Sequence, residues 1–191
     1  MKHTICKTLY LSLFLVPMAL VSLPARAQQL ELENHPGYVN LDVIPQTVDI
    51  EPSIEVHIKG AILRLAAAAT EREDPELSDM LRGLRAIRVF GYNSTYWTEG
   101  TPATLEELAA RMSDQLDNTG WDVMVRVREP GERVHVYLKE VDTRLEGMMV
   151  MVVDSEEAVF VNITGTFDPE QIGRIGNKFD IDALEDLDIE Y

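Results

Sequence analysis

The clearest capacity for chemistry lies in one sixteen-residue stretch, MVRVREPGERVHVYLK, residues 124–139. Its polar half carries Arg126, Arg128, Arg133, His135, Tyr137 and Lys139, at every second position on either side of a Pro-Gly bend. Guanidinium forks grip carboxylate or phosphate in bidentate fashion, a tyrosine ring adds an apolar plate with a polar tip, and lysine adds a point charge. Gathered on one surface, the six would suit an unknown protein partner or an anionic ligand. The chain as a whole has a formal net charge of -16, so this basic row needs a reason. One reading is a binding platform. The other is a solvated face whose charges are balanced by the protein's own carboxylates, such as the diagonal Glu129 and Glu132 or Glu55 on an earlier strand. His57, Lys59, Arg88, Phe90 and Tyr92 share the outward parity of their own strands and would enlarge such a patch.

Other chemistries find little footing. The sequence contains no G-x-S-x-G, H-E-x-x-H, phosphate-binding glycine loop or G-x-G-x-x-G. His35, His57 and His135 lie far apart and lack the spacing of metal ligands on a helix, so no metal or other cofactor is expected. The tail FDIDALEDLDIEY opens like a calcium loop at Asp180 and Asp182. Leu184 then stands where a third oxygen belongs, and Glu185 where the tight turn needs glycine. No catalytic residues are assigned and the chain is read as non-enzymatic. The alternative is a small periplasmic hydrolase whose carboxylates or histidines are brought together only by the fold.

The basic row depends on the hairpin that would carry it. Pro130 supplies a fixed φ and Gly131 a positive one, as a two-residue turn requires. With Arg128 opposite Arg133, Val127 meets Val134, Val125 meets Val136 and Val123 meets Leu138. The six apolar residues then share the inward side, barring a bulge. The outward pairs become Arg126 with His135, Met124 with Tyr137 and Asp122 with Lys139.

Around the hairpin the periodicities define the rest. Ile54, Val56 and Ile58 alternate with polar neighbours as in a half-buried strand. Ile62, Leu63, Ala66 and Ala69 form a helical stripe. Asp74-Pro75 caps and starts a second short helix bearing Leu77, Met80, Leu81 and Leu84. Residues 85–92 read as a strand. A longer helix begins at Thr101-Pro102 or at the capping box Thr104 and Glu107, buries Leu105, Leu108, Ala109, Met112 and Leu116, and stops at Gly120. Four strands follow as a meander (121–128, 133–139, 145–153 and 158–167), then a last helix capped by Asp168-Pro169 with Ile172, Ile175 and Phe179 inward. The run GMMVMVV, residues 147–153, is apolar at both parities and belongs in a central, doubly covered strand. The class is α+β: a mostly antiparallel sheet, made of the late four-strand meander plus two earlier strands, with helices packed on one face.

Residues 1–27 have the build of a cleavable export signal, with Lys2 and Lys7, an apolar run and Ala25-Arg26-Ala27 as the cleavage pattern. Residues 28–52 form an irregular polar lead-in, 53–182 a single domain and 183–191 an acidic tail. Removing the signal takes three basic residues and leaves 14 Lys and Arg against 33 Asp and Glu. Such a balance excludes nucleic acid and direct docking on anionic membranes. The single cysteine, Cys6, departs with the signal, so neither a disulfide nor a thiolate site is expected. The expected location is the periplasm or the outside of the cell. The Asn93 and Asn162 glycosylation sequons carry no meaning in a bacterial compartment.

The pieces PGYVNLD, EVHIKGAILRLAA, EDPELSDMLRGLRAIRVF, WDVMVRVRE, VHVYLKE and GMMVMVVDSEEAVFVNITGTFDPEQIG, in this order, resemble the bacterial family catalogued as domain of unknown function 4252. The resemblance implies an exported envelope protein with no assigned activity and no catalytic residues to carry over. It also implies a setting near sigma-factor and anti-sigma regulation of envelope stress. Some relatives look lipid-anchored, and the position of Cys6 departs from that pattern.

Overall fold

The computed structural model describes residues 29–167. The chain divides into two units, 1–31 and 32–191; of the first, only the helical residues 29–31 are described. The signal, the helix expected after Asp168 and the acidic tail fall outside the described residues.

The second unit is built on one six-stranded antiparallel sheet in the order β1-β2-β6-β5-β4-β3. The strands are β1 (Ile54–Lys59), β2 (Leu84–Asn93), β3 (Asp122–Glu129), β4 (Glu132–Val141), β5 (Arg144–Asp154) and β6 (Glu157–Phe167). β3 to β6 form the expected meander, and β6 then pairs with β2, so the two early strands extend the same sheet. Helices α1 (Val43–Thr47), α2 (Gly60–Thr70), α3 (Pro75–Gly83) and α4 (Thr101–Asn118) surround it. Asp74 caps α3 by accepting from the Leu77 N–H at 3.0 Å, with Pro75 next in the chain. Of the two starts open for α4, the helix uses Thr101-Pro102. There the Thr101 hydroxyl accepts from the Thr98 N–H at 3.0 Å.

The helices divide between the two faces of the sheet, where the sequence pattern placed them on one. On one face α4 and the segment leading into α1 bury Phe90, Tyr92, Tyr137, Met149, Met151, Val153 and Phe160. On the other, α2 and α3 bring Leu63 and Met80 against Val136, Met148, Val150 and Phe167. A two-residue repeat separates the faces of a strand without saying how many receive a cover. With amphipathic helices available on both sides, both are used. β5 lies in the middle and is buried from Glu146 to Met151, as its doubly apolar pattern requires.

Within the lead-in, residues 32–52 contribute Val39, Leu41, Ile44 and Val48 to the first core. They are held as a strap across the sheet by Asn162, which is fully buried. Its side-chain oxygen accepts from the Val39 N–H at 3.0 Å, and its amide donates to the carbonyls of Gly37 at 3.0 Å and Met148 at 3.1 Å. The strap crosses β5 at two glycines with no room for a side chain. A Cβ on Gly37 would lie 1.7 Å from the Glu146 carbonyl oxygen, and one on Gly147 would lie 2.3 Å from the Gly37 Cα.

Candidate functional site

The β3–β4 hairpin forms in the expected register from Arg128–Arg133 through Val125–Val136. Gly131 takes φ +86° in the turn. Beyond Val125 a bulge intervenes, so that Val123 pairs with Tyr137 and Asp122 with Leu138. Met124 and Val125 then both pack against the core on the α2–α3 side. One extra residue against a single partner shifts every later pair by one, which parity counting cannot foresee.

The larger correction concerns what faces outward. The basic and aromatic row belongs to the face covered by α4. His135 is 4% exposed and Tyr137 is completely buried. Arg126 donates through Nη2 to both oxygens of Asp117 on α4, at 2.9 and 3.0 Å, and to the Tyr137 hydroxyl at 2.8 Å. Arg133 donates to Glu106 of α4 at 3.1 Å. Lys139 donates to the carbonyls of Thr119 and Gly120, at 2.8 and 2.7 Å, where α4 ends. There a cation meets the negative end of the helix and its unsatisfied acceptors. Arg128 alone of the six is exposed with no partner among the described residues. The row is therefore in large part the seat of the protein's own acidic helix: His135 and Tyr137 are covered, while Arg126 and Arg128 remain exposed.

Magnitudes separate what holds α4 from what aligns it. Burying one large apolar side chain contributes roughly 1.5–3 kcal/mol, whereas a half-exposed ion pair contributes about 0–1 kcal/mol. Leu105, Leu108, Met112 and Leu116 are buried at this interface, so apolar contact dominates. The arginines fix the helix's position along the strands.

Two buried polar clusters accompany this face. Ser113 Oγ lies 2.7 Å from Nδ1 of His135, while Nε2 of the same ring is buried without a partner among the described residues. Burial, reinforced by Arg126, Arg128 and Arg133 and opposed by Asp117, holds His135 below the usual histidine range. The pair is a nucleophile beside a base in type, but Ser113 faces inward from α4 itself onto His135 of β4, and both are buried. At the strap, Glu146 accepts from the Thr166 hydroxyl at 3.1 Å and faces Nε2 of His35 at 3.4 Å. Burial outweighs the attraction of Glu146, and Arg85 adds to it, so His35 is also held low. Among the described residues no group of three or more His, Cys, Asp or Glu is placed to hold a metal.

Of the residues expected to enlarge the patch, Arg88, Phe90 and Tyr92 are buried, while His57 and Lys59 stay exposed on the edge strand. Arg88 donates to Asp42 and, at 3.2 Å, to the Tyr38 hydroxyl, and lies over the Phe90 ring. It pins the strap much as Arg126 pins α4. In the sequence Asn162 reads only as a glycosylation acceptor, and its structural duty is not apparent from the sequon. A polar residue among Ala158, Phe160 and Thr164, on one side of a central strand, signals an internal hydrogen-bonding duty.

Among the described residues the most exposed large aliphatic side chains lie on α2. Ile62 is 56% and Leu65 72% exposed, although Leu63 and Ala67 on the same helix are buried.

Residues 50–175 match the family model described as a domain of unknown function (DUF4252). The chain belongs to this family. The matched span takes in the whole DUF4252 sheet, α2, α3 and α4, and begins after most of the strap, so PGYVNLD lies outside it. No curated protein and no solved structure gives a match.

Proposed function

We propose that this DUF4252 protein is an exported envelope protein that acts by contact rather than catalysis, with the outer side of α2 as its contact surface. The observation that carries the reading is the exposure of Ile62 and Leu65 on a helix that is apolar on its buried side as well. A helix apolar all round normally has neighbours all round, and unpartnered apolar surface of this kind marks interaction sites. The export signal supports an envelope location. The family resemblance supports envelope-stress regulation, of the sigma and anti-sigma kind, as the setting. The partner is a protein, since the acidic balance disfavours nucleic acid and anionic lipid. A non-enzymatic role is supported by the burial of the Ser113–His135 pair and by the use of Glu146 and His35 to hold the strap.

The double variant Ile62→Asp/Leu65→Asp tests this. Both positions are exposed on a helix, so the fold should survive with a loss of a few tenths of a kcal/mol per site from helix propensity. In a strain lacking the gene, the parent chain should restore the envelope-stress response and the double variant should not, although it accumulates in the periplasmic fraction without residues 1–27. A variant that restores the response as well as the parent overturns the reading.

A further inference from the structure

The outer side of α2 differs from the rest of the chain in charge as well as in polarity. Residues 56–70, VHIKGAILRLAAAAT, contain no Asp or Glu, although the chain has 33 of them, and include Lys59 and Arg64. Arg64 is exposed, between Ile62 and Leu65, and has no ion-pair partner among the described residues. What fits this surface is an acidic segment with apolar side chains at short intervals.

The chain carries such a segment itself. Residues 179–191, FDIDALEDLDIEY, hold six Asp and Glu and no Lys or Arg, interleaved with Phe179, Ile181, Leu184, Leu187 and Ile189. They lie beyond residue 175, where the family match ends, so they belong to this chain and not to the shared domain. We infer that residues 179–191 seat on the outer side of α2 in the same molecule and occupy the contact surface until a partner displaces them. The inference rests on the reading of α2 as that surface.

The geometry of the last strand favours the segment of the same chain over one from elsewhere. β6 ends at Phe167, and the backbone there runs against α3, since a Cβ on Gly83 would lie 2.2 Å from the Thr166 carbonyl oxygen. α3 in turn is joined to α2 by the Ser78 hydroxyl, which donates to the Ala67 carbonyl at 2.9 Å. The chain thus leaves the sheet one helix away from the exposed surface. The stretch from 167 to 179 spans at most about 40 Å when extended, whereas α2, eleven residues long, measures only about 16 Å. Tethering at that distance gives an intramolecular segment a high effective concentration, so weak contacts suffice.

The test uses the full mature chain with a photoreactive phenylalanine analogue at position 65 and, separately, at position 62. Both positions are exposed, so neither replacement disturbs the core. Trypsin cuts after Arg64, Arg72 and Lys178, so an adduct from position 65 joins peptide 65–72 to peptide 179–191. The expected result is this adduct within monomers, with most of it lost when the six acidic residues are changed to Asn and Gln. An adduct to another segment, an adduct only between two copies, or one that survives the neutralisation overturns the inference. The wider reading fails separately. If Ile62→Asp/Leu65→Asp leaves the cellular response intact, α2 is not the contact surface, whatever the cross-link shows. If that variant abolishes the response and no tail adduct forms, the surface stands and its resident occupant does not.

Discussion

The two faces of the DUF4252 sheet reverse what their compositions suggest. The face under α4 and the strap carries Arg88, Arg126, Arg133, His135, Tyr137, Asn162 and Thr164, and it is the more completely covered. The face under α2 and α3 carries a row of valines across all six strands, Val56, Val89, Val161, Val150, Val136 and Val125, joined pair by pair in register. Only Val150 and Val136 of that row are fully buried. Most polar side chains on the first face find a partner, Arg126 in Asp117, Arg88 in Asp42 and Asn162 in the strap backbone, with the Tyr92 hydroxyl and His135 Nε2 as exceptions among the described residues. The second face relies on apolar area alone, and two short helices cannot cover six strands. Burial follows the size of the cover, and polarity is tolerated wherever hydrogen bonds are supplied.

The largest break in this comparison should come at the strap. Gly37→Ala places a methyl group against the backbone of β5, which cannot yield as a flexible side chain would. The strap must lift, at a cost of about 3 kcal/mol or more, read as a fall in the urea midpoint. Asn162→Leu should follow at about 3 kcal/mol, because the Val39 N–H loses its partner inside the core and the Gly37 carbonyl keeps only the Thr164 hydroxyl. An unchanged midpoint in both variants would show that the strap does not hold this face.

Neighbours on one strand sharpen the contrast. Met151 points to the α4 face and is 1% exposed, whereas Val152 points to the other and is half-buried. Met151→Ala should cost about 2–5 kcal/mol and Val152→Ala about 1 kcal/mol, since less apolar area leaves water there. Equal losses would mean that both faces are covered alike.

Acid should weaken the α4 face selectively. His135 and His35 are held low in the folded protein by burial and nearby arginines, while in the unfolded chain each titrates near 6.5. The unfolded state therefore binds more protons just below that pH. The stability these groups contribute is complete above about 6.5 and declines as the pH falls towards their lowered folded values. In urea melts between pH 7.5 and 5, His135→Phe should show a shallower decline than the parent. An unchanged slope would remove His135 from the account.

The smallest effects belong to the arginines. A double-mutant cycle on Arg126 and Asp117 should give a coupling of about 0.5–1 kcal/mol that shrinks in high salt. Arg128→Ser should change stability by no more than about 0.5 kcal/mol.

Much of this architecture is legible along the chain. Asp74-Pro75 starts α3, the Pro130-Gly131 turn sets the hairpin, and β1, β2 and the meander lie where alternation of polar and apolar residues puts them. These features are local, decided by φ preferences, capping and periods of two or 3.6 residues. The Met124 bulge was not legible, because it answers to packing on both sides of β3 at once. The strap was not either, since its hold on the sheet joins residues more than a hundred positions apart, as in the Val39–Asn162 bond.

By itself the sequence determined the family, the elements and their order, and the two-sided sorting of each strand, for all of these depend on neighbours within a few residues or on the pattern as a whole. Only the tertiary structure decided what covers each side of the hairpin. Alternation sorts side chains into two sets and cannot rank them. The ranking is made by α4, whose apolar stripe packs on Tyr137, Met149 and Met151 and whose Glu106 and Asp117 pair with Arg133 and Arg126, while Ile62 and Leu65 of α2 stay exposed.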